Sequence, residues 1–196
     1  KHKKMKKNFF KNKKILITGA TGSIGSSLVL KLAKIGCKVI RVMSNDEHGL
    51  YRLSRKINSS FTINYNLFYN AMGKNKIRFF LGDVRDLKRC NEVTKDVDIV
   101  IHAAALKHVN IVEYNPKEAL YTNYIGTKNI YKACLKNKVK KFIYISTDKV
   151  VSPTNVMGKT KLMAENFIVK QSIIKKIIIL KHLVLDLEMF WAQEDL

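Results

Sequence analysis

The sequence predicts a doubly wound α/β fold, a parallel sheet with helices on both faces. Three observations carry that expectation. Short apolar runs alternate with helical periodicities along the chain, the pattern of successive βα units. The first apolar run leads at once into a glycine-rich turn and then a helix. A later run, Lys141–Ile145, ends in polar, chemically capable residues, where an open parallel sheet binds its ligands.

Ile15-Leu16-Ile17 reads as the first strand, and Leu28, Leu32 and Ile35 carry the period of the helix after it. Cys37 to Val42 follows as a second strand and Leu50 to Ile57 as a helix. Residues 58–76 are polar and aromatic, an excursion without a clear period. Ile77 to Leu81 is a third strand, Leu87 to Val93 a helix, and Asp98 to His102 a fourth strand. Pro116 to Cys134 reads as one long helix containing Asn123, then Lys141 to Ile145 as a strand, with a last helix from near Lys159.

At 196 residues one domain is the expected count, and 46% hydrophobic content suits a globular core. No apolar run reaches membrane-spanning length, since Ile173 to Leu187 is broken by Lys175, Lys176, Lys181 and Asp186; no membrane insertion is expected. Cys37, Cys90 and Cys134 are odd in number and lack metal-ligand spacing. They read as reduced thiols of a cytoplasmic protein with no metal site. The formal charge of +22 invites a nucleic-acid reading, yet lysines spread along the chain. Only Lys1 to Lys14 is dense, and it carries no nucleic-acid-binding motif, so no nucleic-acid partner is expected. The field would suit an anionic cofactor or substrate.

Gly19-Ala20-Thr21-Gly22-Ser23-Ile24-Gly25 has the spacing for a tight turn, close approach to a pyrophosphate and tight helix–strand packing. The helix start would offer free N–H groups to the phosphates. Past the second strand, Ser44, Asn45 and Asp46 occupy the ribose end. An acid there favours NAD and an arginine NADP, so NAD is favoured over NADP. Ala103-Ala104-Ala105 supply small residues where a cofactor would pass, and Lys107 and His108 could face nicotinamide or sugar. For His108 a purely structural role is as good a reading. Asp148-Lys149 after a buried strand is an odd choice for packing and a natural one for moving protons, the plain alternative being a surface ion pair.

These residues together resemble the extended short-chain dehydrogenase/reductases, and more narrowly the nucleotide-sugar 4,6-dehydratases of bacterial polysaccharide biosynthesis. The resemblance is carried by Thr18–Gly25, Gly82-Asp83-Val84-Arg85-Asp86, His102–Val109, Glu113–Pro116, Thr122-Asn123 and Ser146–Lys161. The joined Asp-Lys pair resembles the branch acting on UDP-N-acetylglucosamine. The resemblance implies a Rossmann fold, a nucleotide-sugar substrate and a redox-neutral elimination: oxidation at C4, loss of water across C5 and C6, and return of the hydride to C6. It implies that Asp148 protonates the departing C6 hydroxyl and Lys149 takes the C5 proton. Thr147 would bond the C4 oxygen, supported by Ser146, with Asn155 also toward the substrate. Lys161 would hold the nicotinamide ribose, Asp83 and Val84 would border the adenine, and Asn123 would belong to the cofactor site. Met157 stands where most relatives place a tyrosine. A thioether does no acid–base work, so the C4 base would be Asp148, Lys149 or Lys107. Relatives commonly self-associate, which makes a homo-oligomer an expectation.

Two other functions compete: a nucleotide-sugar epimerase, which usually lacks the Asp-Lys pair, and a non-catalytic dinucleotide-binding module. The expected organisation is a basic extension over residues 1–13, a dinucleotide-binding domain over 14–180, and a tail over 181–196 unlike the family. One permissible AT-rich codon choice for that tail, shifted by two bases, reads Thr-Phe-Ser-Phe-Arg-Phe-Gly-Asn-Val-Leu-Gly-Ser-Arg-Gly-Ser, which does resemble it. The expectation is a frameshifted copy, initiated at Met5, whose C-terminal substrate domain is largely missing.

Overall fold

A computed structural model describes residues 9–60, 77–147, 150–151, 153–172 and 177–180. The strands are β1 (Lys14–Thr18), β2 (Val39–Ser44), β3 (Ile77–Leu81), β4 (Ile99–His102), β5 (Lys141–Ile145) and β6 (Ile177–Leu180). They form one sheet in the order β3-β2-β1-β4-β5-β6, and every pairing is parallel. This is the doubly wound Rossmann order, whose direction reverses between β1 and β4 and opens a crevice at the carboxyl edge.

The helices are α1 (Ser23–Ile35), α2 (Glu47–Ser60), α3 (Leu87–Val93), α4 (Val109–Tyr114), α5 (Pro116–Ala119), α6 (Gly126–Lys136) and α7 (Val156–Ser172). Alternation along β1 sends Ile15 and Ile17 to one face and Leu16 to the other. Ile15, Ile17, Val42 and Ile101 pack with Leu28, Leu32 and Leu53 of α1 and α2. Leu16, Val100, Phe142 and Tyr144 pack with Val93, Ile130, Ala164 and Ile168 of α3, α6 and α7. Covered on both faces, the inner strands are apolar almost throughout.

Several boundaries differ from the sequence reading. Strand β2 starts at Val39 because Gly36 (φ 83°) ends α1 and Cys37 turns into the core. Helix α2 starts at Glu47, since the Asp46 carboxylate caps it by accepting the Gly49 N–H at 2.8 Å. Helix α7 starts at Val156, capped by Asn155 Oδ1, which accepts the Gly158 N–H at 2.8 Å. The expected single helix from Pro116 is interrupted by a π-helical stretch, Leu120–Ile125, in which the Gly126 N–H reaches back to Tyr121 O. Helix α4 and strand β6 were not anticipated. The excursion and the tail fall mostly or wholly outside the described residues.

Cys37, Cys90 and Cys134 are buried thiols, and burial pushes the Cys90 thiol up to about 12. Among the described residues no group of acids, histidines and cysteines is placed to hold a metal. No helix among them is long and apolar enough to cross a membrane.

Candidate functional site

The carboxyl edge of the sheet holds a cavity of about 400 Å³, lined from the ends of β1 to β5 and from α1 and α7. The glycine turn forms its floor. Gly19 has φ 67°, and a Cβ there would lie 2.6 Å from the Ala104 backbone. A Cβ on Gly25 would lie 2.2 Å from Gly19 O, so these two glycines let turn, helix and β4 pack together. Gly22 differs: its backbone is extended and a Cβ would meet only Gly19 O at 3.4 Å. Its bare face borders the cavity, where an approaching ligand, not the fold, needs the room. Gly22 caps α1 without a side-chain hydrogen bond, and the first turn holds no acid. The first helical N–H groups and the positive helix end therefore face the cavity. Lys107 Nζ, 3.4 Å from Ser23 Oγ, adds a cation beside this turn. A nicotinamide dinucleotide fits this donor set: the cradle is anion-binding and sterically cleared.

At the ribose end Ser44 and Asn45 line the cavity. Ser44 Oγ lies 2.8 Å from Thr21 Oγ1 and accepts the Asp46 N–H at 3.2 Å. Asp46 itself does not line the cavity. Its carboxylate is turned to the α2 cap and to Arg52, at 4.0 Å. Asp83 and Val84 line the wall past β3. Burial alone would raise the Asp83 carboxyl, but Arg85, donating from its backbone N–H, Nε and Nη2, holds it below its ordinary value.

The opposite end is built by β5 and α7. Ser146, Thr147, Met157 and Lys161 line it. Lys161 is buried; its Nζ donates to Ile145 O at 2.8 Å and lies 4.5 Å from the centroid of the Tyr144 ring. Burial lowers the Lys161 ammonium to about 8, against the opposing pull of Glu165. Glu165 is also buried, one helical turn beyond Lys161, and accepts a hydrogen bond from Ser146 Oγ. Sequence reasoning passed over Glu165, though its i, i+4 spacing from Lys161 was the available signal. Met157 packs against Val112 and Ala119 while bordering the cavity.

Beneath the cavity floor runs a buried polar chain. Thr127 Oγ1 donates to Asn123 O at 2.6 Å and so accepts from His102 Nε2, 3.0 Å away. His102 Nδ1 is then left to accept from Thr18 Oγ1 at 2.6 Å. Burial, with Lys161 adding to it, lowers His102 to about 3, so the ring is neutral. Asn123 is fully committed: Oδ1 accepts the Leu106 N–H at 2.8 Å, and Nδ2 donates to Leu106 O and Thr160 Oγ1.

Of the residues singled out in the sequence, Gly19, Thr21, Gly22, Ser23, Ile24, Gly25, Ser44, Asn45, Asp83, Val84, Ala103, Ala104, Ala105, Lys107, Thr147, Met157 and Lys161 share this cavity. Asp46, His108, Asn123 and Asn155 are not on its lining. Asp46 and Asn155 cap helices, His108 precedes α4 as an exposed residue, and Asn123 clamps the loop after β4. Asp148 and Lys149 lie outside the described residues. Met43, Gly82, Leu106, Thr122, Ile145 and Ser146 complete the wall.

Residues 15–182 match the polysaccharide biosynthesis protein family. The chain is 48% identical over 153 residues to an uncharacterized membrane protein of Methanocaldococcus jannaschii, covering 78% of this chain and 41% of that protein. It is 42% identical over 152 residues to the inverting UDP-N-acetylglucosamine 4,6-dehydratase of Campylobacter jejuni, covering 77% and 41%. A UDP-glucose 4-epimerase of Rickettsia rickettsii is 40% identical over 153 residues, covering 76% and 40%. Among solved structures, Pen from Bacillus thuringiensis superposes with TM-score 0.73 at 36% identity, covering 86% of this chain and 49% of that one. The UDP-Glc/GlcNAc 4-epimerase of Campylobacter jejuni gives 0.72 at 25%, covering 86% and 53%. The chain thus spans about 41% of the length of the first curated relatives it matches. A family match over most of the chain, on the strand order and glycine cradle described above, places it in the polysaccharide biosynthesis protein family, within the extended short-chain dehydrogenase/reductases.

Proposed function

We propose that this chain serves a nucleotide-sugar 4,6-dehydratase of the UDP-N-acetylglucosamine type, working with a nicotinamide dinucleotide. The observation that carries the reading is one cavity shared by the anion-binding turn of α1 and by Thr147 and Lys161, with Asp148-Lys149 next in sequence. When bound, the dinucleotide supplies reversible hydride transfer. The free N–H groups at the start of α1 hold its pyrophosphate, and Lys161 holds the nicotinamide ribose hydroxyls. NAD is favoured over NADP because neither Ser44 nor Asn45 is cationic, and the nearby Arg52 is turned to Asp46.

Thr147 donates to the sugar C4 oxygen. Asp148 gives a proton to the departing C6 hydroxyl, and Lys149 removes the C5 proton, which the neighbouring ketone has acidified. Met157 contributes shape only, so the C4 hydroxyl proton goes to Asp148, Lys149 or Lys107. Cytoplasmic work and self-association belong to the same reading.

A second reading is a 4-epimerase, favoured by epimerase relatives of nearly equal identity. The test uses stoichiometric chain loaded with NAD, incubated with UDP-N-acetylglucosamine and followed by NMR. A 4-keto-6-deoxy sugar supports the dehydratase. Inversion at C4 with the C6 hydroxyl retained supports the epimerase, and an unchanged sugar at saturating dinucleotide overturns both.

A further inference from the structure

The six strands start nearly level. Lys14 pairs with Val39, Ile15 with Ile99, Ile99 with Lys141, Ile40 with Ile77 and Phe142 with Ile177. Their amino ends therefore form one flush edge, about 24 Å across at ~4.8 Å per strand. The chain crowds lysines onto it. Lys13 and Lys38 precede β1 and β2, and the Lys38 N–H donates to Lys13 O at 2.9 Å. Lys95 lies on the turn into β4, Lys138 on the turn into β5, Lys34 in the last turn of α1, and Lys11 just before β1.

The acids at this edge are already matched. Asp96 pairs with Lys14, Asp98 with Lys140 at 2.7 Å, and Glu92 with Arg89 at 3.0 Å. Lys11, Lys34, Lys38, Lys95 and Lys138 have no ion pair among the described residues, and Lys13 shares the field of Asp98 with Lys140. By contrast Asp46, Glu47, Asp83, Asp86, Glu113 and Glu118 sit at the carboxyl edge or beside it. The α1 dipole accounts for Lys34 but not for the others. Adjacent like charges on neighbouring strands are disfavoured, so folding alone does not select this arrangement.

We propose that this amino edge is a docking surface for an anionic phospholipid bilayer. Among the described residues the strand starts form a flush and broad edge, the shape of a bilayer face. Its cations are lysines, point charges on flexible stems that suit a fluid headgroup layer. The nearby guanidinium of Arg41 is turned inward onto Val93 O and Lys95 O, both at 2.7 Å. Phe9 and Phe10 pack on each other, with Phe10 buried, and offer no base-stacking platform. Docked this way, the cavity at the opposite edge faces away from the bilayer and stays open to ligand. The proposal does not depend on the reaction proposed above.

The test is co-sedimentation of the full chain with vesicles of phosphatidylcholine alone or with one-third phosphatidylglycerol, in low and in molar salt. Binding is expected only to the anionic vesicles and is lost in molar salt. Lys38→Glu/Lys95→Glu should weaken it about 25-fold or more, at roughly five-fold per lysine. The charge-matched pair Lys117→Glu/Lys159→Glu, from the opposite edge, should change it far less. Lys38→Gln/Lys95→Gln, with circular dichroism confirming the fold, should fall in the same direction as its glutamate counterpart. Equal losses from both pairs, no binding to anionic vesicles, or an RNA duplex bound more tightly than vesicles through the same lysines would overturn the proposal.

Discussion

Lys161 places a largely buried ammonium at the cavity wall, fixed by the Ile145 carbonyl and the Tyr144 ring. Its folded value of about 8 lies below the ordinary 10.5. Between those values the unfolded chain binds the proton and the folded chain has shed it, so stability rises with pH across that window. Ligand binding runs the other way. A charge-assisted bond to ribose needs the protonated form, so dinucleotide affinity should decline as pH rises through about 8. Lys161→Met should bind roughly ten-fold or more weakly at pH 7 and show no such inflection; fluorescence titration with NADH across pH 6.5 to about 9.5 checks both. A flat profile in the unsubstituted chain would remove Lys161 from the ribose. The sequence made Lys161 visible through its place in a motif. It did not reveal the burial that sets its charge, because burial depends on Tyr144 and α7 meeting in space.

At the scale of elements, the loop after β4 is held by one side chain. Asn123 pairs both polar groups of Leu106 as a neighbouring strand would, and the π-helical stretch around it places it below that loop. Asn123→Leu keeps the volume and leaves those groups unpaired. It should cost about 2–3 kcal/mol by urea denaturation and weaken dinucleotide binding through the loosened Ala103–Lys107 wall. Loss of binding with unchanged stability would instead put Asn123 in contact with ligand. The glycine turn and the inner strands were legible because local chemistry dictates them: positive φ at Gly19, continuous apolar runs in β1 and β4. Asp46 and Asn155 looked like ligand contacts in sequence, yet both are helix caps, a competing use of the same short polar side chains. Helix α4 and strand β6 lacked a periodic signal and form through tertiary pairing, β6 against β5.

For the whole molecule, the net charge of +22 read as diffuse along the sequence, while among the described residues the parallel sheet gathers Lys11, Lys13, Lys34, Lys38, Lys95 and Lys138 at one edge and leaves Asp46, Glu47, Asp83 and Asp86 at or beside the other. That sorting is a consequence of topology, since every strand starts at one edge and ends at the other. The same topology gathers the ends of five strands around a single cavity. The most direct measurement is amide hydrogen exchange of the chain with and without saturating NAD. A dinucleotide spanning the carboxyl edge should slow exchange at Gly22 to Gly25 and around Ser146 and Thr147 together, leaving Lys38 and Val39 unchanged. Saturation with no protection at the glycine turn, or protection there without any at the end of β5, would contradict it.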